Sequence, residues 1–159
     1  LALLHGVQKL CYVSSIATLG NTLDGSHITE ETSFNQDDDT NVYSLTKYAS
    51  EMEVWRGTLE GLDAIIVNPG VILGAGFWHT GSGAILTLAS KGLPYYTGGS
   101  IAVVDVQDVV NSMLLLMKST AKNERYILVS ANVTYQNFTE HLALAFGNKP
   151  PTKLSLIPI

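Results

Sequence analysis

The chain has 159 residues, of which 46% are hydrophobic and 14% are charged, a balance typical of one domain with a packed core and internal parallel strands. Its net charge of −5 excludes the basic surface of a nucleic-acid-binding protein. With a single cysteine, Cys11, no internal disulfide can form, so we expect a reducing, cytoplasmic environment. No apolar run reaches the roughly 18 residues that span a bilayer, so we predict no membrane segment.

Hydrophobic periodicity predicts strands and helices that alternate along the chain. In chain order they are a strand at 10–15, a helix at about 43–60, a strand at 63–68, a short helix at about 82–91, a strand at 101–105, a helix at 106–118, a strand at 125–130 and a helix at about 135–146. Residues 20–41 are polar and residues 70–99 are rich in glycine, so we predict loops there apart from the short helix. Such alternation is typical of an α/β fold.

The helix predicted at 43–60 has two distinct faces. Its apolar stripe predicts the buried face and consists of Leu45, Tyr48, Met52 and Trp55. On another face, Tyr43 and Lys47 are four residues apart, so the phenol and the ammonium point the same way. Because a nearby ammonium favours a phenolate, this pair suits proton transfer by Tyr43 coupled to hydride transfer. A serine hydroxyl from Ser14-Ser15, at the end of the first strand, could hold the carbonyl or alcohol oxygen of a substrate.

Other motifs fail the spacing that their chemistry needs. The run at 74–79 begins like a dinucleotide fingerprint but has His79 in place of the third glycine. The acidic run at 37–39 lacks the glycine and the glutamate of a calcium loop, and the 4 histidines are too far apart in sequence to suggest a metal site. We therefore predict no metal, and no complete dinucleotide-binding turn in this chain.

Four further motifs follow one another along the chain. They are Val-Ser-Ser-x-Ala-x-x-Gly at 13–20, Tyr-x-x-x-Lys at 43–47, Val-Asn-Pro-Gly-x-x-x-Gly at 67–74 and Val-Asp-Val-x-Asp-Val at 104–109. This set resembles the extended short-chain dehydrogenase/reductases, also called the NAD-dependent epimerase/dehydratase family, from about Val7 to about Phe146. The resemblance implies an α/β fold that is the C-terminal half of a doubly wound parallel (Rossmann-type) sheet with a small substrate-binding lobe.

The resemblance also implies how the chain is organised. Residues 1–70 would be the C-terminal part of the dinucleotide-binding domain, and residues 71–159 a substrate-binding lobe interleaved with the last Rossmann elements. We expect the chain to be a C-terminal fragment, incomplete at both ends, because a preceding half on the order of 100 residues would carry the first βαβ units. By itself, this fragment is expected to be inactive.

The resemblance assigns roles to the residues of the first two motifs. Tyr43 would be the general acid and base, and Lys47 would hold the ribose hydroxyls of the cofactor. Ser15 would orient the reacting oxygen, because the family's hydroxyl lies five residues before the closing glycine, and Thr18 would contact the substrate nearby. Ser14 lies on the other side of the strand and is expected to bond to the backbone.

The resemblance implies NAD or NADP as the cofactor, with Pro69, Gly70 and Val71 beside the nicotinamide. The chain lacks the Asp-Glu pair of sugar-nucleotide dehydratases, and its third motif is closer to the dihydroflavonol-reductase-like and hydroxysteroid-dehydrogenase-like branches. With Phe77 and Trp78 at the substrate, this composition suits a less polar compound than a diphosphate sugar. We therefore predict an NAD(P)-dependent oxidoreductase that transfers a hydride to or from a ketone or secondary alcohol.

Two alternatives stay open beside this oxidoreductase. One is a nucleotide-sugar epimerase of the same family, and the other is a catalytically silent nucleotide-binding or redox-sensing module. The expected partners are a small-molecule substrate and a second copy of the chain, with no nucleic acid and no membrane. The family implies a homodimer through the helix at 43–60, with Glu51, Glu53 and Arg56 as contacts.

Overall fold

The computed structural model describes residues 1–20, 22, 27–35, 41–76 and 78–155. The strands are β1 (Lys9–Val13), β2 (Asp63–Pro69), β3 (Val71–Leu73), β4 (Tyr95–Tyr96), β5 (Ser100–Asp105), β6 (Glu124–Leu128), β7 (Ala131–Thr134) and β8 (Lys153–Leu154). The helices are α1 (Val42–Leu59), α2 (Ser82–Ser90), α3 (Val106–Lys118) and α4 (Tyr135–Ala145), with 3-10 turns at Leu3–His5 and Ile16–Thr18. All the predicted elements are present, and their ends differ from the predicted ones by at most two residues. Among the described helices, none is long and apolar enough to cross a membrane.

The chain divides into two compact units. The first consists of Leu1–Gly70 and Asp108–Leu128, and the second of Val71–Gln107 and Val129–Ile159. The predicted boundary after residue 70 falls where the first segment of the first unit ends, and residues 108–128 then return to that unit.

The first unit is built on a parallel sheet with the strand order β1-β2-β6. Val67 of β2 lies opposite Val13 on one side and Tyr126 on the other. Ile65 and Ile66 of β2 are fully buried, because the middle strand of a parallel sheet is covered on both faces. The parallel pairing of β1 with β2 confirms the predicted α/β sheet.

Helix α1 has a capping residue before its first turn and a glycine after its last turn. Asn41 Oδ1 accepts a hydrogen bond from Ser44 N at 2.9 Å, and Gly61 follows the last turn with a φ of +101°. The predicted buried face of α1 is wrong. The most buried residues are Ser44, Glu51 and Val54, while the apolar stripe lies on the flank and is half-buried. The reason is that polar groups at the ends of β1 and β2 bond to Glu51, which draws that face of the helix inward.

The burial of Glu51 also bears on the predicted homodimer. Its side chain has no exposed surface, so the prediction that Glu51 contacts a second copy is wrong. Glu53 and Arg56 of the same helix are exposed and form an ion pair at 2.9 Å.

The second unit contains a mixed sheet and a separate pair of strands. β3 pairs with β5 in parallel and β5 pairs with β7 antiparallel, while β4 and β8 form a parallel pair. β3 and β4 lie in the stretch that was predicted to be loop, so that part of the prediction is wrong. Strands of two or three residues form there because partners distant in sequence supply their hydrogen bonds.

Gly74, the last glycine of the third motif, packs against the start of α3. A Cβ atom at this position would stand 2.3 Å from Val106 Cγ1. We expect Gly74→Ala to lower the free energy of unfolding by about 1–3 kcal/mol, because the added methyl group overpacks this contact. Denaturant unfolding measures the change, and Gly98→Ala is a matched control because a Cβ there meets nothing within 4 Å. Equal unfolding midpoints for the Gly74 and Gly98 variants would contradict the prediction.

Candidate active site

The end of β1 presents two adjacent serines. Ser14 N extends the ladder by donating a hydrogen bond to Val67 O at 2.8 Å. Ser15 Oγ then caps the 3-10 turn at Ile16–Thr18, accepting a hydrogen bond from Ala17 N at 3.1 Å. Ser15 is 9% exposed, against 0% for Thr18, and within the described part of the chain its hydroxyl proton has no acceptor, so the hydroxyl keeps one donor for an oxygen atom of a ligand.

Lys47 reaches this strand end from α1. Its Nζ donates a hydrogen bond to Val13 O at 2.8 Å and lies 5.4 Å from the centre of the Tyr12 ring. The ring and the carbonyl both attract the ammonium, which fixes it beside the last residue of β1. An ammonium has three N–H donors, so two remain for other groups. The structure thus brings Lys47 to the predicted serine turn.

Tyr43 lies one helical turn before Lys47 on α1. Its side chain is 55% exposed, so a ligand can reach it. Among the described residues, its hydroxyl forms no hydrogen bond with Lys47 Nζ or with Ser15 Oγ. Among the predicted catalytic residues, Lys47 therefore contacts the end of β1. Tyr43 lies one turn away on the same helix, and its hydroxyl bonds to neither Lys47 Nζ nor Ser15 Oγ.

Two sequence-based assignments at this turn do not fit the structure. Thr18 is 0% exposed, and its Oγ1 lies 2.8 Å from Glu51 Oε2 and 2.9 Å from Asn68 Nδ2. This burial argues against the predicted contact between Thr18 and a substrate. Ser14 was expected to bond to the backbone, but its hydroxyl is buried and donates to Glu51 Oε2. Both hydroxyls point at one carboxylate, which is why neither faces outward.

That carboxylate, Glu51, is the residue that the sequence analysis missed. It accepts hydrogen bonds from the side chains of five residues: Ser14, Thr18, Trp55, Asn68 and Arg125. Its contact with Arg125 Nη1, at 3.4 Å, is an ion pair between two largely buried side chains. A signal was present, since Tyr43, Lys47 and Glu51 are spaced four residues apart and share one helix face.

Arg125 also holds the segment at 27–35. Its Nε donates to Glu30 O at 2.6 Å and its Nη2 donates to Thr32 O at 3.0 Å. In the same segment, the ring of Phe34 stacks on Tyr48 of α1 with 4.2 Å between ring centres. These contacts attach the segment to β6 and to α1, the helix that carries Lys47.

The predicted nicotinamide contacts fall on the end of β2 and the start of β3. Pro69 is buried opposite Leu128, and Gly70 N donates to Leu128 O at 3.0 Å. Just before them, Asn68 is fully buried, and its Oδ1 has no partner among the described residues. Val71 lies in the second unit.

Val71 lines a cavity of about 500 Å³ in the second unit. The cavity walls are mainly apolar, with Ile85, Leu88, Leu93, Ile101 and Phe138 among them. Trp78, a predicted substrate contact, is 43% exposed and is not one of the lining residues within the described chain, and Phe77 lies outside the described residues. A volume of this size suits a small ligand with a hydrocarbon body.

Cys11 is not a candidate nucleophile. Burial raises the pKa of its thiol, and the opposing effect of the nearby Lys9 charge is smaller. A raised pKa leaves little thiolate at neutral pH, and the thiolate is the reactive form. In the part of the chain that the structure describes, no group of three or more His, Cys, Asp and Glu side chains is placed to hold a metal ion.

The fold contains a parallel α/β sheet, and the sequence has a matching family. Residues 1–129 match the NAD-dependent epimerase/dehydratase family. The chain belongs to this family, which confirms the predicted one.

The curated relatives are longer than this chain. A protein of Synechocystis sp. described as a candidate dihydroflavonol 4-reductase is 29% identical over 154 residues, which cover 92% of this chain and 44% of that protein. Sterol demethylase protein B of Methylococcus capsulatus is 27% identical over 155 residues, which cover 96% of this chain and 47% of that protein. The chain therefore spans about half the length of the curated relatives it matches.

Solved structures share the same fold. The crystal structure of gox2253 matches 96% of this chain and 47% of its own, with a TM-score of 0.85 and 32% identity. UDP-glucose 4-epimerase of Thermus thermophilus, solved with NAD, matches 97% of this chain and 52% of its own, with a TM-score of 0.77 and 22% identity. Gre2 of Candida albicans, solved with NADPH, matches 92% of this chain and 52% of its own, with a TM-score of 0.72 and 20% identity. The last two matches show the fold alone, and they confirm the Rossmann-type sheet.

Proposed function

We propose that the chain is the C-terminal half of an NAD(P)-dependent oxidoreductase that transfers a hydride to or from a ketone or secondary alcohol. The observation that carries this proposal is the bond from Lys47 Nζ to Val13 O, which holds an ammonium at the carboxyl end of a parallel strand, two residues before Ser15. Ligands of doubly wound sheets bind at that edge. The phenol of Tyr43, one turn away on α1, provides the acid and base.

The residues at this edge fit a nicotinamide nucleotide. The two remaining N–H donors of Lys47 suit the adjacent hydroxyls of a ribose. Gly70 follows a buried strand end and has no side chain, so the backbone there can lie close to a flat ring. When bound, the nicotinamide supplies or accepts the hydride.

The chain's own groups handle the proton. In ketone reduction, Ser15 donates a hydrogen bond to the carbonyl oxygen, and Tyr43 gives that oxygen its proton as the carbon gains the hydride. In alcohol oxidation, the hydroxyl proton passes to the Tyr43 phenolate while the carbon loses the hydride. Because a phenol can give up a proton and take one back, the same group can work in both directions.

The substrate proposed here has a largely apolar body. The cavity in the second unit supports this, because most of the side chains that line it are hydrocarbon. The names of the two curated relatives, a candidate dihydroflavonol 4-reductase and a sterol demethylase protein, also refer to ring compounds with little charge. Neither name refers to an enzyme that acts on diphosphate sugars.

The test of this function is a turnover assay on the complete protein. NADH or NADPH fluorescence is followed with a panel of aryl and polycyclic ketones, and with UDP-glucose as the comparison substrate. We expect ketone-dependent loss of fluorescence. Interconversion of sugar nucleotides without net cofactor oxidation would instead indicate an epimerase. Cofactor binding with no turnover across the whole panel would indicate a silent binding module.

We also propose that the complete protein is a cytoplasmic homodimer. The exposed pair Glu53 and Arg56 on α1 supports a polar contact through this helix, without the buried Glu51. A single cysteine suits a reducing compartment. Light scattering that gives a monomer mass would overturn the dimer.

A further inference from the structure

Glu51 is a buried charged group for which the proposed reaction has no use. It lies at the middle of α1 and is 0% exposed, and both oxygens of its carboxylate accept hydrogen bonds. Oε2 accepts from Ser14 Oγ, from Thr18 Oγ1 at 2.8 Å and from Asn68 Nδ2 at 3.1 Å. Oε1 accepts from Trp55 Nε1 at 3.3 Å and from Arg125 Nη1 at 3.4 Å. A buried carboxylate costs several kcal/mol in lost hydration, so such a site needs this many donors.

The donors fix one another's orientation. A carboxylate only accepts hydrogen bonds, so the Asn68 amide must turn its Nδ2 toward Glu51 and its Oδ1 away. In that orientation, Nδ2 also lies 3.1 Å from Ser15 O and 2.9 Å from Thr18 Oγ1. The peptide of Ser15 is thereby held by the same amide that Glu51 orients.

The partners of Glu51 come from separate elements that meet at the proposed site. Ser14 follows β1, Thr18 ends the turn that Ser15 caps, Asn68 belongs to β2 and Arg125 to β6. Glu51 itself lies one turn after Lys47 on α1. One carboxylate therefore sets the distance between the Ser15 turn and the helix that carries Tyr43 and Lys47.

We propose that Glu51 is a positioning residue that holds the Ser15 hydroxyl in place against the Tyr43 and Lys47 face of α1. The proposal rests on the proposed function and deepens it. The competing explanation is that Glu51 only neutralises the charge of Arg125. In that case, replacing Glu51 would lower the stability of the protein but would not affect catalysis through Ser15. The two explanations differ in what happens to kcat when Arg125 is also removed.

The first experiment compares Glu51→Gln with the matched control Glu53→Gln in the complete protein. The glutamine keeps the size of the side chain but replaces one of the two carboxylate oxygens by an NH2 group, so the five donors cannot all stay bonded. We expect kcat to fall at least tenfold in Glu51→Gln, with the KM for the cofactor within twofold of the unchanged protein. Glu53→Gln, which is exposed and contacts no residue of the proposed site, is expected to leave both constants unchanged, provided that light scattering gives it the same mass as the unchanged protein. A kcat within twofold of the unchanged protein for Glu51→Gln would overturn the proposal.

The second experiment separates positioning from charge balance. We compare Glu51→Met/Arg125→Met, in which methionine leaves no oxygen acceptor for Ser14 and Thr18, with Arg125→Met alone, each assayed below its unfolding temperature. If Glu51 positions Ser15 through Ser14 and Thr18, the double variant stays at least tenfold lower in kcat than Arg125→Met. If Glu51 only balances Arg125, the two variants have equal kcat, and the proposal fails. Should Glu51→Gln not fold, Ser14→Ala removes one donor and keeps the ion pair. It is expected to lower kcat at least threefold, and an unchanged kcat would contradict the proposal.

A readout without turnover keeps this inference apart from the proposed function. Hydrogen–deuterium exchange of the peptide around 14–19 reports the Thr18 N–Ser15 O and Leu19 N–Ile16 O bonds. We expect faster exchange there in Glu51→Gln than in Glu53→Gln, whichever substrate the protein uses. Faster exchange in a protein that turns over no ketone would remove the proposed function but keep the Glu51 contact. Unchanged exchange would remove the positioning role.

Discussion

Replacing Tyr43 by phenylalanine in the complete protein is expected to lower kcat by about 10²–10⁴-fold, which is the contribution of a general acid or base. This corresponds to about 3–5 kcal/mol of lost transition-state stabilisation. The fold should persist, because Tyr43 is more than half exposed and its hydroxyl bonds to no described residue. Steady-state kinetics with the best ketone of the panel, together with thermal unfolding, measures both effects.

The matched control for this variant is Tyr48→Phe. Tyr48 lies on the same helix, and it stacks its ring on Phe34. Phenylalanine preserves that stacking, so kcat is expected to remain unchanged. Hydride transfer by Tyr43→Phe at the rate of the control would show that another group moves the proton.

Residues 1–159 alone are expected not to bind NAD or NADP at micromolar concentration. The pyrophosphate normally rests on a glycine-rich turn and a helix N-terminus in the first βα unit, and the sequence contains no such turn. In the proposed site, the chain would contact only the nicotinamide end of the cofactor, through Lys47, Tyr43 and Gly70. Each 1.4 kcal/mol of lost binding free energy weakens binding tenfold. The half of the cofactor that such a turn holds normally makes many contacts, and this chain cannot supply them.

Titration calorimetry of the isolated chain measures this binding, with the complete protein as the positive control. A clear micromolar isotherm for residues 1–159 would refute the prediction. The sequence of the complete protein can identify the cofactor. An acidic residue roughly 20 positions beyond a glycine fingerprint in the complete protein would indicate NAD, and a nearby arginine would indicate NADP.

The long elements were predictable because each carries its own periodic signal. β2 is an apolar run, and it forms the fully buried middle strand that such a run predicts. Helix α3 has the same bounds in the prediction and in the structure. β3, β4, β7 and β8 were missed because two to four residues are too few to show a period, and their pairing depends on partners far along the chain.

The polar face of α1 could not be read from hydrophobicity, which assigns every glutamate to the surface. Glu51 is buried because Ser14, Asn68 and Arg125, all distant from it in sequence, bring donors to one point. The same tertiary arrangement turned Thr18 inward. The family motifs identified which residues gather at the strand ends, but not which of them face a ligand and which face one another.

The place of β1 in the sheet has a practical consequence for anyone who purifies this chain. Among the described strands, β1 pairs with β2 alone, so one row of its backbone groups is open to another chain. Its one charged residue does not guard that edge, because Lys9 Nζ is bonded to Leu116 O and Ser119 O at the end of α3. An open strand edge of this kind favours edge-to-edge association of isolated chains, so purification at low protein concentration suits this chain.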